Sequence, residues 1–265
     1  MTYTKRIDSP SNPLIKQWAR WQAKSAERRK DGVVLVEGLR EVERALLSGW
    51  TPEYLAFPAD SAHLSDWMDQ WSFPETHWME LGSAAWQKLA VREGVDHVLG
   101  VFPAPPSDLQ ALPTPVDGLV LVAVETEKPG NLGALFRTAD AAGVDAVLVV
   151  DPVCDPYHPQ AIRNSLGGIF NVPTAVCSAQ DARNWLQHYG LAVVLGHLDA
   201  QHVHTDADLS GPVALVVGPE DRGLDPAWDT AATLRVKIPM LGVVDSLNVS
   251  VSAAVLLYEA RRQKK

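Results

Sequence analysis

Apolar positions along the chain keep changing rhythm between a helical and a strand period. After Pro13, residues Leu14, Ile15, Trp18 and Trp21 recur at helical intervals and predict an amphipathic helix that Gly32 breaks. A short buried strand over 33–36 and a second helix over 37–47, closed by Gly49, follow. Strand, helix and helix patterns then recur at 54–57, 64–71 and 83–89. The rhythm stops at 102–115, where five prolines predict a semi-rigid spacer. It resumes with the unbroken apolar run 118–124, the mark of a strand buried on both faces.

A loop over 125–130 leads to Asn131, placed to cap a helix that carries Leu135, Phe136 and Ala139 and ends at Gly143. Further pieces at 145–150, 185–188, 191–195 and 213–217 repeat the alternation, which predicts a doubly wound, mostly parallel α/β sheet. The apolar segment 234–238 is stopped by Pro239. Beyond a loop containing Gly242, Ser246-Leu247-Asn248 opens a final helix, so rich in Val, Ala and Leu that it reads as buried. Its last turn carries Arg261, Arg262 and Lys264, which suit the negative end of the helix dipole. These patterns give an N-terminal domain over 1–101, a linker over 102–116 and a second domain over 117–265.

Composition narrows the class. An apolar content of 46% with 21% charged residues is that of a globular protein. No apolar run is long enough to span a bilayer, and the first residues lack a signal-peptide core, so the expectation is a cytoplasmic protein with no membrane partner. Cys154 and Cys177 have neither zinc spacing nor a disulfide framework and read as buried free thiols. His197, His202 and His204 lack partners at ligand spacing and read as solvated, with no metal expected. The net charge of -9 hides eight cations against two carboxylates in the first 30 residues. Lys5, Arg6, Arg28, Arg29 and Lys30, interleaved with Trp18 and Trp21, form either an RNA-facing patch or an ordinary solvated face.

Candidate chemistry gathers in loops at the carboxyl ends of the predicted parallel strands, where open α/β sheets hold ligands. These loops contain Gly196, the GPEDRG turn at 218–223, and the segment 239–248. Three segments in order, NLGALFRTADAAG (131–143), LVVGPEDRGL (215–224) and IPMLGVVDSLNVSVSAAVLLYEA (238–260), resemble the motifs of the SpoU-like (TrmH-type) RNA 2'-O-ribose methyltransferases of the SPOUT superfamily. The resemblance implies a C-terminal trefoil-knotted SPOUT domain, a homodimer formed through it, and S-adenosyl-L-methionine as cofactor. By it, Leu195, Gly196, Gly218, Ile238, Met240, Leu247 and Ser250 are expected to bind cofactor. Asn131, Arg137, Glu220, Ser246 and Asn248 are expected at the catalytic centre. The opening of the chain through VVLVEGLREVERALLSG (33–49) resembles a smaller ribosomal-protein-like α/β substrate-binding domain, with Glu37 and Gly38 matching.

The activity implied is methyl transfer to a ribose 2'-hydroxyl in rRNA or tRNA, with rRNA favoured. Alternatives are methylation of a base nitrogen within the same superfamily, or a non-catalytic RNA-binding or ribosome-assembly module.

Overall fold

The computed structural model describes residues 5–264 apart from 74, 91–97 and 220–222. The chain falls into two compact units, Met1–Pro105 and Pro106–Lys265. Unit 1 holds β1 (Lys5–Ile7), α1 (Pro13–Ala23), α2 (Ser25–Asp31), β2 (Val33–Glu37), α3 (Leu39–Leu47), β3 (Tyr54–Pro58), α4 (Ser65–Met68), β4 (His77–Leu81), α5 (Ser83–Leu89) and β5 (Leu99–Pro103). Among the described residues its sheet runs β1-β4-β3-β5-β2, with β5 antiparallel to β3 and β2 and the other pairs parallel.

The helix expected up to Gly32 is two helices, because Lys24 is extended at φ -132°, ψ 112°. Arg28 holds the break together. Its buried guanidinium donates to the carbonyls of Trp21 and Gln22, groups that the end of α1 leaves without intrahelical partners. Arg28 is therefore a structural cap rather than an RNA contact, which corrects the charge-based expectation. Trp18 and Trp21 are buried as well, packed with Ile15, Leu35 and Trp86, and neither indole presents a face to a base. Arg6 is held by Glu80 at 2.8 Å and Asp8 at 3.0 Å. Lys5, Arg29 and Lys30 are exposed. The helix expected over 64–71 shrinks to the single turn of α4 behind a 3-10 turn at Ala62–Leu64.

Unit 2 holds β6 (Leu119–Val124), α6 (Pro129–Ala142), β7 (Ala146–Val150), α7 (Pro159–Ser165), α8 (Gly168–Asn171), β8 (Thr174–Cys177), α9 (Ala179–His188), β9 (Ala192–Gly196), β10 (His202–Val203), β11 (Val213–Val217), α10 (Pro226–Ala231), β12 (Leu234–Lys237) and α11 (Val249–Gln263). Its sheet, among the described residues, is parallel throughout and ordered β10-β12-β9-β11-β6-β7-β8. Strand β6 is buried along its whole length, as its unbroken apolar run requires. The chain leaves β6 toward β7 and β8, then returns to lay β9 and β11 on the other side. The switch point lies between β6 and β11, the usual ligand crevice of such sheets.

The expected spacer is shorter than its prolines suggest. Phe102 and Pro103 pair in β5, and Leu112 is buried in the core of unit 2. Ser107 accepts the Val176 amide at 2.7 Å, adding a backbone bond beside β8. Both cysteines are free and half-buried; burial pushes their thiols up to about 11 for Cys154 and about 12 for Cys177, so neither is a nucleophile at neutral pH.

Helix α11 is buried on one face only. Ala253, Leu256, Leu257 and Ala260 point inward, while Val251 and Tyr258 are 47% and 52% exposed. Its last turns are bolted down. Arg261 donates to the Ala142 carbonyl at 2.7 Å and to the Asp117 carboxylate at 2.8 Å, and Lys264 reaches the Asp117 carbonyl at 2.9 Å. Glu259 accepts two bonds from Arg262 and one from Gln263, whose own amide links to Ala207 and Leu209.

Those donors, Arg262 foremost, hold the Glu259 carboxyl down at about 2. A depressed folded-state value stabilises above the unfolded carboxylate range and is lost as pH falls through the folded one. Urea midpoints should therefore decline between about pH 4.5 and 2, and more shallowly in Glu259→Gln. An identical acid profile for that variant would disprove the assignment.

Candidate active site

The β6–α6 turn begins under strain. Glu125 sits at φ +48°, a left-handed conformation that costs a non-glycine residue about 1 kcal/mol, and it is fixed by its amide donating to Val150 O at 2.8 Å. The next carbonyl, of Thr126, accepts the Cys154 amide at 3.2 Å. Helix α6 then starts three residues earlier than expected, with Lys128 rather than Asn131 at its cap and Pro129 in its first turn. Asn131 is thus inside the helix, not its cap. Its side chain is used elsewhere: Asn248 Nδ2 donates to Asn131 Oδ1 at 3.1 Å.

Asn248 is the cap of α11. Its Oδ1 accepts the Ser250 amide at 3.0 Å and the Ser250 hydroxyl at 2.6 Å. One asparagine therefore starts the last helix and ties it to the first turn of α6. That bond joins segments 117 residues apart, so spacing alone cannot forecast it.

A cavity of about 360 Å³ opens at the ends of β9, β11 and β12. Of the residues expected to hold cofactor, Gly196, Gly218, Ile238, Met240 and Leu247 line it, and so does Ser246. Two do not. Leu195 points into the sheet core with no exposure, and Ser250 is spent on the Asn248 cap. The lining also includes His197, Asp199 and Leu224, with a stripe of Val249, Ser252 and Leu256 along α11. That stripe follows the i, i+3, i+7 spacing of a helix face, a signal present in the sequence but assigned there to packing. His197 is not merely solvated, since its Nδ1 accepts the Asp199 amide at 3.1 Å.

Gly218 has a steric reason: an added Cβ would stand 2.8 Å from Leu224 Cγ. At Gly196 it would press to 3.2 Å from Leu256 Cδ1. Both glycines let the cavity wall close in.

A second cavity, about 170 Å³, adjoins the first at the switch point. Glu125, Thr126, Glu127, Lys128 and Asn131 line it, and Gly218, Pro219 and Val249 are walls common to both. Arg137, further along α6, is exposed, lines neither cavity and has no hydrogen-bond or ion-pair partner among the described residues. Glu220 lies outside the described residues.

The stretch 154–173 is more than a loop. It forms α7 and α8, which close on α6 through two glycines. A Cβ at Gly133 would overlap the Ala161 carbonyl oxygen and lie 2.7 Å from Asn164 Cβ; one at Gly168 would lie 3.0 Å from Phe136 O.

Residues 118–258 match the SpoU rRNA Methylase family, and residues 12–100 match the MRM3-like substrate binding domain. The chain is 31% identical over 276 aligned residues to the 23S rRNA (uridine(2479)-2'-O)-methyltransferase of Streptomyces viridochromogenes, covering 98% of this chain and 93% of that protein. It is 30% identical to the 23S rRNA (guanosine(2553)-2'-O)-methyltransferase RlmP of Bacillus subtilis, covering 97% and 99%. The crystal structure of the SpoU methyltransferase AviRb from Streptomyces viridochromogenes with the cofactor AdoMet superposes with a TM-score of 0.87 at 28% identity, covering 95% of this chain and 98% of that one.

Proposed function

Since the chain belongs to the SpoU rRNA methylase family, we propose that it transfers a methyl group from S-adenosylmethionine to a ribose 2'-hydroxyl of ribosomal RNA. The Asn248–Asn131 hydrogen bond carries this reading, because it joins two distant motifs beside a cofactor-sized cavity whose lining residues Leu247 and Val249 flank Asn248. Both curated relatives act on 23S rRNA and align over nearly their whole length, which favours rRNA over tRNA.

The larger cavity fits the cofactor. Its volume lies within the roughly 300–1,000 Å³ of small-molecule sites. Leu198, Leu224 and Leu247 would offer apolar faces to an adenine, the Asp199 carboxylate would accept hydrogen bonds from ribose hydroxyls, and Gly196 and Gly218 present bare backbone. When bound, the cofactor supplies a methyl group made electrophilic by its sulfonium.

The protein's share is alignment and charge. Displacement forms an O–C bond as the C–S bond breaks, and holding nucleophile and methyl in line supplies much of the rate. A guanidinium makes a poor general base, so the role proposed for Arg137 is one of charge and positioning. In the reading proposed, it grips an RNA phosphate and stabilises negative charge growing on the 2'-oxygen, while the proton leaves to phosphate or water. Asn131 and Asn248 keep the two motifs in register, Ser246 forms cavity wall, and Glu220 is the orienting carboxylate of this reading.

The proposal includes a homodimer and a trefoil knot in unit 2. The uncovered apolar face of α11, at Val251 and Tyr258, supports the first, as do Leu241 and Val243 at nearly full exposure. An Arg137 that lines neither cavity of its own chain is then available to the cavity of a second copy. The return of α11 from β12 to α6, pinned at both of its ends, supports the second. Unit 1 is the substrate-binding domain in this reading, with Lys5, Arg29 and Lys30 as its candidate phosphate contacts. Light scattering at micromolar concentration is expected to give twice the chain mass; a monomer would refute the dimer.

Activity is tested with labelled S-adenosylmethionine and separate pools of rRNA and tRNA from cells lacking the protein. The expected result is label in rRNA at one alkali-resistant dinucleotide, as a ribose methyl group leaves. Label in an alkali-sensitive nucleotide would indicate base methylation instead.

A further inference from the structure

Charge is distributed sparsely around the larger cavity. Among the described residues that line it, Asp199 bears the only carboxylate; apart from His197, the others are apolar, hydroxyl-bearing or glycine. The Asp199 side chain is exposed at the cavity mouth and has no hydrogen-bond or ion-pair partner among the described residues.

Its place is fixed by a built turn. The His197 amide donates to Val236 O at 2.9 Å, the Ala200 amide to His197 O at 3.3 Å, and the Asp199 amide to His197 Nδ1 at 3.1 Å. Ala200 is buried, so the turn is anchored at its far end as well. An imidazole that accepts the amide two residues on does what an Asn or Asp side chain does in such turns. His197 thereby holds the backbone from which Asp199 projects.

Resting on the methyl-transfer reading above, we propose that Asp199 makes this cavity prefer the methyl donor to its demethylated product, with His197 as the positioning residue. S-adenosylmethionine has a sulfonium, an ammonium and a carboxylate, and so a net positive charge. When the methyl leaves, the C–S electron pair stays on sulfur, and S-adenosylhomocysteine is a thioether zwitterion with no net charge. Hydrogen bonds to the ribose hydroxyls serve both molecules alike; the attraction of the carboxylate for a cation serves only the first. At hydrogen-bonding range in water a unit charge pair is worth on the order of fivefold in affinity, more where the walls exclude solvent and less as salt screens it. Product then leaves more readily than donor, and the cavity is freed for the next methyl group.

Isothermal calorimetry on the full-length protein tests this with S-adenosylmethionine, S-adenosylhomocysteine and sinefungin, whose ammonium replaces the sulfonium and carries no methyl to give. Asp199→Asn changes an exposed side chain, keeps a hydrogen-bond acceptor and should fold as wild type. It should weaken S-adenosylmethionine and sinefungin roughly three- to tenfold at low salt and leave S-adenosylhomocysteine nearly unchanged. The difference should shrink at about 0.5 M salt. His197→Ala should lose part of the preference and His197→Asn keep it, because the Asn oxygen takes the same amide. Equal weakening of all three molecules by Asp199→Asn would make the residue a hydrogen-bonding group for the shared adenosine and overturn the proposal, as would no change in any of them. Wild-type preference in His197→Ala would remove the positioning role. A wild-type protein that binds none of the three would overturn the methyl-transfer reading, and this proposal with it.

Discussion

Arg137→Ala is expected to lower turnover roughly a hundred- to a thousandfold, the usual loss when one preorganised donor to a developing oxyanion is removed. Stability and cofactor affinity should stay near wild type. The side chain is exposed, without a partner among the described residues, and outside the lining of both cavities, so its removal leaves neither a void nor an orphaned charge. Arg137→Lys is expected between the two, because an ammonium keeps the charge and loses the planar fork. Single-turnover assays with binding measured separately would decide the matter. A lysine variant with full turnover and unchanged RNA affinity would remove bidentate positioning from the mechanism.

Gly133→Ala should destabilise the second unit by roughly 1–3 kcal/mol, the usual cost of overpacking. Helix propensity argues the other way, since alanine is favoured over glycine within a helix by up to about 1 kcal/mol. Packing wins because the new methyl would meet a carbonyl oxygen of α7, which moves only with the helix itself, and Asn164 Cβ at 2.7 Å. Gly211→Ala, with nothing within 4 Å of the added carbon, is the control and should change the melting temperature little. Thermal denaturation of the pair measures the difference. If Gly133→Ala melted at or above the wild-type temperature, α6 and α7 would not be as closely fitted as described. Turnover should fall along with stability, because α6 carries both Asn131 and Arg137.

Much of this architecture was legible because burial writes itself into strands. The run 118–124 and the segments 146–150 and 213–217 are apolar without a break, and they became three adjacent strands of the parallel sheet. The motif glycines were legible too, since Gly196 and Gly218 are set at strand ends where an added Cβ would press on Leu256 and Leu224. Less visible was anything that depends on distant pairing. Strands β1 and β4 pair across more than seventy residues, and neither has a pattern strong enough to stand alone.

Charge misled where it met burial. Arg28 looks like its neighbours Arg29 and Lys30 in sequence, yet its environment of free helix carbonyls makes it part of the core. Asparagines favour caps, yet Asn131 lies inside the helix because a proline two residues earlier begins it. At Leu195 strand alternation turns the side chain inward, which leaves only its backbone for the cofactor contact that the resemblance implies.

The order in which the parts of the cavity occur along the chain has a consequence for synthesis. Val249, Ser252 and Leu256 form one wall, Asn248 supplies the tie to α6, and every strand of the sheet precedes them. A nascent chain emerges from the ribosome N-terminus first, so it can complete its sheet and still have no pocket. The cavity closes only after the final helix has left the exit tunnel and found its seat. A product stopped short of Val249 would keep the strand-end walls and lack the one that α11 supplies.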